Sequence, residues 1–142
     1  MALTDIFSAT TRATTIADLS LGPALAGFRT VQAKNVDIVK LAQLEAIVTA
    51  KPYSLDGLDP LDRTDTEGPW IIPLRPGFVE ALAVLDESSA RAAALKWADG
   101  PDWAAEGAAD SDGDVVALVE ALATLARDAL AERASLYLWW SL

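Results

Sequence analysis

From Ile38 to Val48 the apolar side chains recur at three- and four-residue steps: Ile38, Leu41, Leu44, Ile47 and Val48. That spacing places them in one stripe of a helix, and it predicts a helix over residues 36–50. Asn35 is a candidate cap, Asp37 falls in the first turn and Pro52 ends the run. A second such stripe is longer. Val115, Val119, Leu122, Leu125, Ala126, Ala129 and Leu130 predict a helix over 114–133, with Asp114 as its cap. Between the two, "GFVEALAVLD" puts Phe78, Val79, Leu82 and Leu85 on one face. "ESSARAAALKWADG" then reads as a further helix, with Ser88 as cap, Gly100 as stop and Trp97 on the buried side.

Other stretches follow a different period. "FRTVQ" (Phe28 to Gln32) alternates apolar with polar residues and reads as a short strand. "WIIPLRP" (Trp70 to Pro76) reads as a strand with Pro73 at a sheet edge or a bulge, because Pro73 has no N–H to give a ladder. In "SLYLWWSL" both alternating sets are apolar: Leu136, Leu138 and Trp140 on one side, Tyr137 and Trp139 on the other. A strand covered on both faces has that composition. A surface for a partner is the competing reading, since Trp and Tyr are enriched at binding hot spots. Residues 4–19 read as a short N-terminal helix anchored by Ile6, Phe7, Ile16 and Leu19. Together these elements predict a single α+β domain over residues 1–142: mostly helical, with four or five helices packed on a small two- or three-stranded sheet.

Two irregular segments separate the periodic ones. In "KPYSLDGLDPLDRTDTEGP" the residues Asp56, Asp59, Asp62 and Asp65 fall every third position, with Leu55, Leu58 and Leu61 offset by one. A chain of turns would send the leucines inward and the aspartates outward. Paired carboxylates can do acid/base or magnesium chemistry when burial separates their pKa values, and turn chemistry explains the same residues without it. "DGPDWAAEGAADSDGD" is acid-rich, free of basic residues, and carries Trp103. Its "DSDGD" resembles the start of a calcium loop. An EF-hand, however, needs glycine after the third ligand and a closing glutamate; Val115 and Ala121 occupy those positions. A helix-capping loop is the simpler reading. Trp103 could stack a cationic or sugar ligand, or fold back over the core. Arg75 is expected to pair with a nearby Asp.

Composition narrows the function classes. With 21 acidic and 11 basic residues the net charge is -10, so the chain lacks the positive footprint of a nucleic-acid binder and is a poor match for anionic membranes. It contains no Cys and no His. Disulfides, thiolate nucleophiles, Ser-His-Asp triads and imidazole-bound metals are therefore excluded. No apolar run approaches the length of a membrane span, and the start "MALTDIFSATTRATT" has no signal-peptide pattern, so a cytoplasmic protein is expected. No cofactor motif such as GxGxxG or GxxxxGK occurs.

"KNVDIVKLAQLEAIVTAKPY", "GPWIIPLRPGFVEALAVLD" and "LYLWWSL", in that order, resemble small uncharacterised bacterial proteins, many of them actinobacterial. The resemblance implies a bacterial single-domain protein and assigns no role to any residue.

The leading functional expectation is a non-enzymatic protein–protein interaction protein, of immunity or inhibitor type, that meets a basic protein partner. Trp103, Trp139, Trp140, Asp59, Asp62 and Asp65 are the candidate partner or ligand surface, and a homodimer is a further option. The alternatives are an enzyme dependent on carboxylates or a divalent metal, and a small-ligand module with a Trp-lined pocket. No catalytic residue is assigned.

Overall fold

The computed structural model describes residues 3–10, 22–24, 27–34, 36–58, 70–100 and 112–141. Four helices pack against a four-stranded antiparallel sheet, an α+β architecture. The strands are β1 (Leu3–Ala9), β2 (Thr30–Lys34), β3 (Trp70–Pro73) and β4 (Ser135–Ser141). The helices are α1 (Ile38–Thr49), α2 (Pro76–Ala83), α3 (Glu87–Ala98) and α4 (Asp112–Ala131). Strand order is β2-β1-β4-β3, so β4 lies inside the sheet between β1 and β3. Ile6 faces Leu138 in the ladder, and Leu138 faces Ile72 on its other side.

The buried aromatic terminus is thus a central strand. Successive side chains of a strand point to opposite faces. Leu136 and Leu138 join Ile6 and Ile72 in the main core beneath the helices. Tyr137 and Trp139 join Phe7, Ala9 and Ile71 in a second cluster on the other face, with Phe28 packed against it. The Phe7 ring lies 5.4 Å from that of Phe28 and 5.5 Å from that of Tyr137. Gly22, at φ +99°, crosses this face. A Cβ there would stand 3.7 Å from Asp5 Oδ2 and 3.9 Å from Trp139, in a conformation that L side chains rarely adopt.

Residues 3–9 are a strand rather than the start of a helix, and they give the sheet its fourth member. The hydroxyls made this segment read as polar. Yet Thr4 and Ser8 are buried, and Thr4 Oγ1 donates to the Ala33 carbonyl of β2. A hydroxyl with a backbone partner can sit inside a sheet at little cost. Residues 10–19 of the expected helix fall at or beyond the limit of the described stretch.

Helix ends obey local chemistry. Asp37 caps α1 by accepting from the Lys40 N–H, at a position expected to fall inside the first turn. Asp86, not Ser88, caps α3 through a capping box with Ser89. The Ser89 backbone bond, reinforced by its hydroxyl, holds the Asp86 carboxyl below the usual carboxylate range. Helix α4 begins at Asp112, so Asp114 lies within its first turn rather than at the cap. At its other end the Ala134 N–H donates to the Ala129 carbonyl and the Arg133 N–H to that of Leu130, with Arg133 at φ 56°. This is a Schellman stop, built on arginine where glycine is usual, and it turns the chain into β4 almost at once.

Pro73 sits on β3, an edge strand, as its missing N–H requires. Helix α4 packs on β1, β2 and β4, while α2 and α3 pack on α4. Among the described residues no helix is long and apolar enough to cross a membrane.

Candidate functional site

Arg75 joins three parts of the fold. One residue, Leu74, separates it from the end of β3, and it precedes Pro76, the first residue of α2, whose ring lacks the N–H that this position leaves unused anyway. The guanidinium reaches across to α1, where Nη1 donates to Glu45 Oε1 at 2.5 Å. Nη2 donates to the carbonyls of Ser54 at 3.0 Å and Asp56 at 2.5 Å. Arg75 is 29% exposed and Glu45 13%, so the pair is largely withdrawn from water. The expected ion pair exists, but its carboxylate is Glu45. Aspartate 56 contributes only its backbone.

The result is a clamped surface segment. After α1 the chain turns through Ala50, at φ 55°, and runs through Lys51, Pro52, Tyr53, Ser54 and Leu55 without regular structure. A turn at Gly57, φ +77°, closes with the Leu58 N–H donating to the Leu55 carbonyl. Leu58 is buried in the main core. Leu55, expected to point inward with it, is 42% exposed, and Tyr53 is 47% exposed. The three-residue step breaks because the turn at Gly57 reverses the chain between the two leucines. Beside the segment lies a groove of about 430 Å³ between α1 and the start of α2, with Ala42, Ala46, Thr49, Pro52 and Gly77 along its wall. Small side chains on α1 leave this space open. Arg75 lies at the edge of this groove, where Nη1 and Nη2 hold Glu45 and the two carbonyls in place.

A second hollow of about 320 Å³ separates the start of α3 from α4. Arg127 spans it, donating to the Leu85 carbonyl and to Thr124 Oγ1. Asp86 is engaged in its capping box.

The expected surface residues are scattered. Trp139 is buried in the second cluster, next to Gly22. Trp140 points to the opposite face, half-buried, with its ring 4.9 Å from that of Trp70. Among the described residues no acceptor reaches its buried Nε1–H. The two indoles point opposite ways, with Trp139 buried and Trp140 half-buried. Asp59, Asp62, Asp65 and Trp103 lie outside the described residues. Among the described residues no three acidic side chains gather as a metal site would need. Tyr53 was not singled out from sequence, and Leu55 was expected inward rather than at the surface. The signal for Tyr53 was a large apolar residue directly after Pro52, outside any helical or strand period.

Asp5 is the one buried-side carboxyl with a distinct electrostatic signature. It lies on the aromatic face, where burial raises its pKa above the ordinary value. A raised folded pKa penalises the charged form, so stability falls as pH rises from the unfolded-state value through the folded one. Asp5→Asn is therefore expected to raise Tm at pH 7. The advantage should shrink on acidification and vanish below the ordinary aspartate range, where both proteins are neutral at this position. Melting curves at stepped pH check it; an Asn variant that is less stable at pH 7 would count against this account.

Comparison with protein-family models, with curated proteins and with solved structures yields no match to this chain.

Proposed function

We propose that this chain is a non-enzymatic interaction protein, of immunity or inhibitor type, acting on a basic protein partner in the cytoplasm of a bacterium. The observation that supports it is charge: -10 on 142 residues, with no compensating basic run. Such a field speeds encounter with a cationic partner and repels acidic ones. The described structure adds large apolar side chains exposed at Tyr53 and Leu55, beside a segment whose carbonyls Arg75 holds.

The test is affinity capture on the immobilised chain from nuclease-treated lysate of the encoding organism, at about 0.1 M and about 0.5 M salt. The reading expects one basic protein, retained saturably and bound less tightly at the higher salt. Retention of no basic protein, or of a set indifferent to salt, overturns it.

A further inference from the structure

We propose that the partner docks on the Arg75-clamped segment 51–58, seating Tyr53 and Leu55 in an apolar cleft of a basic protein. This rests on the interaction reading above and adds the place of contact. Three independent observations converge there. Tyr53 and Leu55 are large apolar side chains one residue apart, and each is nearly half exposed. The carbonyls of Ser54 and Asp56, on either side of Leu55, are both held by Arg75, which is anchored in turn on Glu45. The groove between α1 and α2 opens next to them and can receive a side chain from the other molecule.

Rigidity is what distinguishes this patch from an ordinary exposed leucine. A loop that is already ordered loses little entropy on binding, so its contacts count more fully toward affinity. The segment is tied at both ends as well, by the α1 terminus and by buried Leu58. Val84, at 82% exposure, is more open but stands at the end of α2 beside one arginine-held carbonyl, that of Leu85, rather than between two. Tyrosine is among the residues most enriched at hot spots.

The occupant follows from charge. A second copy would bring another -10 to the contact. A basic protein gains from the whole acidic field while its apolar cleft covers Tyr53 and Leu55.

The experiment uses the basic protein captured by the wild-type chain, purified, and its Kd for the full-length variants. Tyr53→Ser and Leu55→Ser are each expected to weaken binding about 10-fold, and the double variant at least ~30-fold. Val84→Ser should stay within about 2-fold, as a surface change remote from a hot spot does. Arg75→Gln, which cannot bridge both carbonyls and Glu45, should weaken binding and speed amide exchange across 51–58. A double variant that binds as wild type overturns this docking site and leaves the interaction reading intact. Capture of no basic protein overturns both. A double variant that changes self-association in sedimentation while leaving the heterologous Kd unchanged would make a second copy the occupant, and would overturn the proposal as stated.

Discussion

With Leu138 replaced by aspartate, the chain is expected to show no cooperative unfolding transition. Leu138 is fully buried in β4, the central strand, between Ile6 of β1 and Ile72 of β3 and under the helices. A carboxylate at this position has no partner within the core, and an unpaired buried charge costs several kcal/mol even after relaxation. A domain of this size has only about 5–15 kcal/mol of net stability. The substitution also removes the leucine's own burial, worth about 2 kcal/mol. Leu138→Ala separates the two contributions. It should fold, at a cost of about 3 kcal/mol and a Tm lowered by about 6–12 °C. Urea titration followed by tryptophan fluorescence reads both variants. A Leu138→Asp protein that melts near the wild-type temperature would mean that β4 is not held inside the sheet.

Trp97→Ala is the second large effect, about 4 kcal/mol. Trp97 lies on α3 at 1% exposure and is the largest fully buried side chain. Its Nε1–H donates to the Lys40 carbonyl at 2.8 Å, joining α3 to α1 deep in the helical layer. Deleting the indole opens a large void and cuts that tie at once. Trp97→Phe keeps most of the ring volume and loses the bond, so it should cost about 1–2 kcal/mol. The expected order of midpoints is wild type, then Phe, then Ala with a wide gap. Equal losses for Phe and Ala would assign the energy to the hydrogen bond instead of the packing.

Periodicity revealed what periodicity builds. Helices α1 and α4 were legible because their stripes face a single core, except for Leu130 of α4, which is exposed, and Trp97 fell on the buried side of α3 as its spacing implied. β4 was legible because it is apolar on both faces, the composition of a covered strand. β1 was not. Its polar residues lie on both faces, with Thr4 and Ser8 toward the helices and Asp5 toward the aromatic cluster, so the period-two contrast cancels. Thr4 is inside because the Ala33 carbonyl takes its hydroxyl, a relation between strands far apart in the chain. Arg75 shows the same limit. An arginine after a strand announces an ion pair, but only tertiary structure selects Glu45 and the two loop carbonyls. For the same reason Tyr53 and Leu55 looked like ordinary loop residues. Their significance comes from a clamp that no local pattern encodes.

The position of β4 also sets the order in which the molecule can assemble. Leu3 pairs with Ser141, and Trp70 with Trp140, so both inner ladders wait for a strand made after β1, β2 and β3. The α2–α3–α4 unit is more local and can form before it. Until β4 arrives, β1 and β3 each present an unpaired edge carrying Phe7 and Ile71, the kind of surface that templates aggregation. Folding should therefore be slow for the chain's length, as topologies rich in distant contacts are. During synthesis the nascent protein should depend on chaperones until the strand that begins at Ser135 has cleared the ribosome.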